Sequence, residues 1–271
     1  MKVLLCCDLD RTLLPNGVPE ESPQARPLLR RIARRAELTL AYVSGRRLEL
    51  LQAAIRDYGL PLPAYAAGDV GSTLYQVRAG AWHPWVAWER AIAPDWNGYG
   101  HDDLARVFAD LDPLVLQEPE QQNRFKLSFY VALNVERDAL CAEMHRRLAD
   151  RGVRASVTWS VDEARGCGLL DVLPERATKL HAVRFLMERA GYDEASTVFA
   201  GDSGNDLAAL TGGLQAVLVA NAAPDVRREA LRIAQAAGTA DRLYLARGGF
   251  LGMNGCYGAG VLEGLVHFLP A

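Results

Sequence analysis

The chain is poor in several things at once. It has five cysteines in 271 residues (Cys6, Cys7, Cys141, Cys167 and Cys256), an odd, scattered set with no C-x-x-C pair. That excludes a disulfide framework and a zinc knuckle, and it is the usage expected in a reducing cytoplasm. Basic charge is not in excess: 30 Lys and Arg stand against 33 Asp and Glu, a net charge of −3. No global signal therefore points to nucleic acid or to an anionic membrane. Long hydrophobic runs are missing. The longest uncharged stretch, Leu207 to Pro224, is broken by Thr211, Gly212, Gly213, Gln215 and Asn221, and reads as helix end, turn and strand, not a membrane span. The apolar start, Val3 to Cys7, is too short for a signal-peptide core and runs straight into carboxylates. There is no internal repeat and no low-complexity linker. What remains is ordinary globular composition, half hydrophobic and 23% charged, at a length that suits one large or two modest domains.

The order of elements gives the fold class. Val3 to Cys7 is a continuous apolar run, as in a strand buried on both faces of a parallel sheet. Helix Gln24–Ala36, strand Leu38–Val43, helix Leu48–Tyr58 and strand Ala64–Ala67 follow, the alternation of a doubly wound α/β sheet. The rhythm changes near residue 76. Four of the five tryptophans lie between Trp82 and Trp96, placed to form a core or to stack on a ring. Lys126–Leu133 and Ala155–Val161 alternate like strands with one wet face, flanked by helices at Asp102–Leu111 and Arg137–Asp150: an α+β insert. The α/β rhythm returns with strand Leu169–Leu173, helix Lys179–Ala190, strand Thr197–Ala200, a last strand Val217–Val219 and a closing helix Val261–Phe268. These readings give a core of residues 1–78 and 166–271 and an insert of 79–165, joined by crossings near 76–82 and 162–168.

Chemistry concentrates at the strand ends, where doubly wound sheets bind their ligands. Asp8-Leu9-Asp10-Arg11-Thr12 follows the first strand. Two carboxylates there are expensive if buried without a cation, although a polar turn with a capping Asp explains them too. Gly201-Asp202-Ser203-Gly204-Asn205-Asp206 follows another apolar strand and adds two carboxylates, or caps the next helix. Together Asp8, Asp10 and Asp202 make a hard, all-oxygen set that suits Mg²⁺. Ser44-Gly45-Arg46 offers a hydroxyl and backbone N–H groups to a phosphate, or a plain N-cap. Lys179, near a helix start, is not placed to complement the helix dipole. It serves a bound phosphate or is a solvated surface lysine. His101, His145 and His181 show no metal spacing, and the Arg30-Arg31 and Arg34-Arg35 run reads as a solvated helix face.

Taken in chain order, Asp8–Thr12, Ser44, Lys179 and Gly201–Asp206, these four elements resemble the motifs of the haloacid dehalogenase superfamily of phosphotransferases. An insert between the second and third motifs is where members with a large α+β cap carry it. The form Gly-Asp-Ser-Gly-Asn-Asp, the stretch Asn123-Arg124-Phe125-Lys126-Leu127-Ser128-Phe129-Tyr130, Asp171-Val172-Leu173-Pro174, Val219-Ala220-Asn221-Ala222-Ala223-Pro224 and the tail Gly258 to Phe268 are similar to the sucrose-phosphate phosphatase group. The resemblance implies a Rossmann-like core with a cap and a Mg²⁺-dependent phosphatase acting on a sugar phosphate. Sucrose 6-phosphate leads; mannosylfructose, glucosylglycerol or mannosylglycerate phosphates, or a phosphomutase on the same core, are alternatives. It implies Asp8 as nucleophile and Asp10 as acid and base. Asp8, Asp10 (through its main-chain carbonyl), Asp202 and Asp206 would lie around the metal, with Ser203 and Asn205 behind them. Leu9, Ser44, Gly45 and Lys179 would be at the phosphate, and Lys126 at the sugar. A sugar-phosphate synthase is the implied protein partner. Three features depart from the family pattern: Arg11 where Gly or Asn is usual, no histidine before the glycines of Gly248–Tyr257, and the stretch Trp159–Gly168.

Overall fold

The computed structural model describes residues 2–162 and 165–269. Among them, the first elements in chain order are β1 (Val3–Cys7), α1 (Ala25–Ile32), β2 (Leu38–Val43), α2 (Leu48–Asp57), β3 (Tyr65–Gly68), β4 (Thr73–Arg78) and β5 (Ala81–Pro84). Then come α3 (Val86–Ile92), α4 (His101–Val107), β6 (Val115–Leu116), β7 (Leu127–Val131), α5 (Arg137–Ala149), β8 (Ala155–Asp162) and β9 (Cys167–Pro174). The last are α6 (Lys179–Ala190), β10 (Thr197–Gly201), α7 (Leu207–Thr211), β11 (Gln215–Leu218), α8 (Pro224–Ala237), β12 (Leu243–Leu245) and α9 (Gly258–Phe268). Among the described residues, no helix is long and apolar enough to cross a membrane.

The chain divides into two compact units, Met1–Pro84 with Lys179–Ala271, and Trp85–Thr178. The first holds an eight-stranded sheet in the order β12-β11-β10-β1-β2-β3-β4-β5. Pairing is parallel from β12 to β3 and antiparallel across β3–β4 and β4–β5. The chain leaves β1 in one direction for β2 and returns on its other side with β10. Strand order thus reverses at β1, the switch point where a doubly wound sheet opens a crevice. Alternation fixes both faces of β1. Val3, Leu5 and Cys7 enter a cluster with Leu29 of α1, Leu51 and Ile55 of α2 and Leu262 and Leu265 of α9. Leu4 and Cys6 point the other way and are equally buried. Helix α2 ends where expected: Gly59 takes φ +60°, and Gly59 N and Leu60 N close onto the Arg56 and Ile55 carbonyls.

The second unit holds an antiparallel sheet, β6-β7-β9-β8. Its core is aromatic: Trp96 meets Phe125 edge-on at 5.6 Å and Phe108 meets Phe129 at 6.2 Å. Asp95 is fully buried there, accepting from Arg154 Nη2 at 2.6 Å and from the Arg176 backbone N–H at 2.9 Å.

The structure moves the boundaries read from the sequence. Residues 79–84 belong to the first unit, because β5 pairs with β4. Residues 166–178 belong to the second, because β9 pairs with both β7 and β8. The expected crossing near 162–168 lies instead within the second unit, where Val161 pairs with Gly168 and Asp162 with Cys167; residues 163 and 164 lie outside the described residues. In strand β9 the run of apolar residues is broken by Asp171, and Leu170, Val172 and Leu173 are its buried large side chains.

Candidate active site

Three loops of the first unit meet where the sheet reverses. Asp8 leaves β1 with its N–H bonded to the Ala200 carbonyl of β10 at 2.9 Å, so the two strand ends are stitched together. Asp202 and Asp206 come from the turn after β10. The carboxylates of Asp8, Asp202 and Asp206 offer oxygens that all lie within 4.8 Å of one another, and all three residues are buried. Lys179, the first residue of α6, sits among them at 5% exposure. Its Nζ lies 2.8 Å from Asp8 Oδ1, 2.7 Å from Asp206 Oδ1 and 3.2 Å from Asn205 Oδ1.

Three buried acids with one buried cation among them decide the electrostatics: Lys179 pairs with Asp8 and Asp206, and the half-exposed Arg11 guanidinium lies 3.4 Å from Asp202. Burial pushes the Asp8 carboxyl up, to about 7; Lys179 pulls it back, and the charges of Asp206 and Asp202 raise it further. Asp202 is pushed up to about 6, by burial first and then by Asp206. Burial disfavours the Lys179 ammonium, but the charges of Asp8 and Asp206 outweigh it and hold its pKa above the ordinary lysine value. Lysine and carboxyl shift the same way for different reasons: burial dominates at the carboxyls, whereas at the lysine the charges of two acids outweigh burial. This is the setting a hard divalent cation fits: buried oxygen donors with more negative charge than one lysine offsets.

Asp206 is the best-held of the three. Oδ2 accepts from the N–H groups of Asp202 (3.1 Å) and Ser203 (3.2 Å) and from Ser203 Oγ (3.1 Å). Ser203 Oγ also donates to Asn205 Oδ1 at 2.9 Å, so Ser203 and Asn205 fix the turn around the acids. Thr12 Oγ1 donates to Asp202 Oδ1 at 3.2 Å.

Asp10 stands apart. Its carboxylate does not join the acidic trio but is gripped by Arg46, Nε to Oδ2 at 2.8 Å and Nη2 to Oδ1 at 2.6 Å, and by Asn16 Nδ2 at 2.7 Å. Burial opposes its charge, yet the Arg46 hydrogen bonds prevail and hold the pKa below the usual carboxylate value. Ser44 is buried at the end of β2, its Oγ accepting from Arg46 N at 3.2 Å. Gly45 is exposed, and a Cβ built on it would meet nothing within 4 Å, which leaves its backbone open to a ligand. The Leu9 side chain is in the core, and its carbonyl closes the turn by accepting from Thr12, Leu13 and Leu14. Lys126 lies in the second unit. It is not on a wet strand face: it is buried, donates to the Gln121 carbonyl at 3.0 Å and lies 3.8 Å from Asp171 Oδ1. The roles of Arg46, Thr12 and Asn16 had no signal in spacing. Arg46 was visible only as the residue after Ser44-Gly45.

A doubly wound sheet with a buried carboxylate at its switch point, a buried lysine beside it and further acids in the turn after the neighbouring strand defines a haloacid dehalogenase-type phosphatase. The family model for sucrose-6F-phosphate phosphohydrolase matches residues 1–269, and the chain belongs to that family. A protein of Nitrosococcus oceani bearing the name "Putative HAD-like hydrolase" is 58% identical, over 99% of this chain and 72% of its own. The mannosylfructose-phosphate phosphatase of Agrobacterium fabrum is 27% identical, over 82% of this chain and 85% of its own. Among solved structures, the sucrose-phosphatase of Synechocystis sp. PCC6803 in complex with sucrose and phosphate aligns with a TM-score of 0.74 at 25% identity, over 99% of this chain and 98% of its own. The chain is a sugar-phosphate phosphatase of the sucrose-phosphatase type.

Proposed function

We propose that the protein is a Mg²⁺-dependent phosphatase that hydrolyses sucrose 6-phosphate through an aspartyl-phosphate on Asp8. One observation carries the reading: Asp8 is buried at the switch point, 2.8 Å from the Lys179 ammonium and beside two further acids. In the proposed reaction an Asp8 oxygen attacks phosphorus in line, and the bond from phosphorus to the sugar oxygen breaks. Asp10 gives its proton to that departing oxygen, then takes one from the water that hydrolyses the acyl phosphate. The Arg46 grip favours charged Asp10, the form that accepts a proton, so the donating half of the cycle requires Arg46 to let go. Lys179, the Ser44 hydroxyl and the open backbone at Gly45 hold the transferring phosphoryl oxygens, and such positioning and charge stabilisation supply most of the rate in phosphoryl transfer. Asp8 and Asp202 would hold Mg²⁺, with Asp206 supporting them; when bound, the ion would offset the repulsion between a dianionic ester and an anionic nucleophile.

The test is phosphate release across a panel with Asp8→Asn as the blank: sucrose 6-phosphate, mannosylfructose phosphate, glucosylglycerol phosphate, mannosyl-3-phosphoglycerate and trehalose 6-phosphate. The expected outcome is a kcat/KM preference for sucrose 6-phosphate of about a hundredfold, roughly 2.7 kcal/mol of transition-state discrimination. A flat profile or another winner overturns the sugar assignment while leaving the chemistry. Release that needs a bisphosphate activator marks a mutase instead. Asp8→Asn with full turnover refutes the nucleophile.

A further inference from the structure

Arg11 bears a backbone cost that the residues usual at its position avoid. Its φ is +57°, in the left-handed region, where Gly or Asn fits easily and a longer side chain costs about 1 kcal/mol or more. The strained turn is held firmly. Asn221 Nδ2 donates to the Arg11 carbonyl at 2.6 Å, and Asn221 Oδ1 accepts from Tyr257 N at 2.8 Å. From this turn the guanidinium reaches the acids, with Nε 3.4 Å from Asp202 Oδ2 and Nη2 3.4 Å from the Asn221 carbonyl. Beside it lies an unmet acceptor. Tyr257 is fully buried, and its hydroxyl has no hydrogen-bond partner among the described residues. Both groups border Gly17, where a Cβ would sit 3.1 Å from Arg11 Nη1 and 3.3 Å from Tyr257 Oη. An orphaned buried hydroxyl costs roughly 1–3 kcal/mol, which packing alone does not explain when Phe would fill the same space.

We infer that Arg11 is a resident cation that competes with the divalent metal for Asp202, and that metal entry moves the guanidinium off Asp202 and onto the Tyr257 hydroxyl while it stays on the Asn221 carbonyl. The inference rests on the metal site proposed above. It explains why the trio is tolerable without metal: Lys179 serves Asp8 and Asp206, and Arg11 serves Asp202. It also explains the strain, since only a long cation at this turn reaches both stations. Two cations on one carboxylate repel, so metal affinity is lowered by the work of displacing Arg11, and Tyr257 returns part of that work.

The test is calorimetric titration of Mg²⁺ alone into the chelator-treated full chain. Arg11→Gln removes the charge and keeps the backbone cost, whereas Arg11→Asn removes both. Each should bind Mg²⁺ about fivefold tighter than wild type, the size expected of a half-exposed ion pair, with the gap shrinking at high salt. Tyr257→Phe should weaken binding about threefold when Arg11 is present and leave it unchanged in the Arg11→Gln background. Arg11→Gln with wild-type or weaker affinity overturns the inference. So does tightening confined to Arg11→Asn, which would assign the effect to the backbone. A wild-type chain with no Mg²⁺ binding, or binding that survives in Asp202→Asn, refutes the metal site itself and is distinguishable from either result.

Discussion

Asp202 is ionised against its surroundings. Its carboxyl is pushed up to about 6, by burial and then by Asp206. A carboxyl whose pKa is higher in the folded than in the unfolded chain binds more protons when folded. Its contribution to stability is complete below the unfolded value of about 3.9 and is lost as pH rises through about 6. In chelator, Asp202→Asn should therefore melt above wild type at pH 7.5 by the equivalent of about 2 kcal/mol, and the gap should close by about pH 4. Adding Mg²⁺ should stabilise wild type and not the variant. Melting curves across that range check it, and a gap independent of pH would remove the carboxyl as its cause. The acids were legible in the sequence as carboxylates at strand ends, and Lys179 only through the joint pattern of four elements and the family resemblance it carries. The Arg46 grip on Asp10 was not. Residues 10 and 46 come from different loops, and no spacing rule joins a side chain to a partner brought to it by sheet order.

Helix α9 lies unusually close to β11, and glycine allows it. A Cβ on Gly264 would stand 2.2 Å from Val217 Cγ2, and one on Gly260 would stand 2.2 Å from the Gly255 carbonyl. Gly264→Ala gains helix propensity of about 1 kcal/mol, but overpacking against a central strand costs about 1–3 kcal/mol. Net destabilisation of up to about 2 kcal/mol is expected in urea unfolding, with partial rescue by Val217→Ala in the double variant. Elements with a wide apolar stripe were readable from sequence; others were not. Helix α8 begins with Pro224 and ends at Gly238 with φ +69°, both good signals. Its buried positions, though, are only Ala230 and Ala234, so no stripe of large residues marks it. Strand β12 spans three residues and β5 is largely exposed, too short or too wet for periodicity to speak. The doubly wound core was predicted from its alternating strands and helices. The β4–β5 hairpin extends it in antiparallel pairing that this rhythm does not encode.

At the scale of the whole chain, each unit has its own sheet and its own core. The three clustered carboxylates and Lys179 all belong to the unit formed by Met1–Pro84 and Lys179–Ala271. Scanning calorimetry in chelator should resolve two transitions. Mg²⁺ at about a hundred times its Kd should raise one of them by roughly 2.7 kcal/mol and leave the other in place. A single transition, or a common shift of both, would show that the units unfold together.

The pairing of β1 has a further consequence, for the birth of the chain. Leu4 pairs with Thr39 on one side and with Thr197 on the other. The ribosome delivers the first neighbour almost at once and the second only after the whole of Trp85–Thr178 has emerged. At about 5–20 residues per second, that strand edge stays open for roughly 10–40 seconds. Over that interval the nascent chain offers an apolar, unpaired edge to any chaperone or neighbouring chain. The intervening stretch is continuous in sequence, so it is able to close its own aromatic core while the centre of the molecule still waits for its last partner.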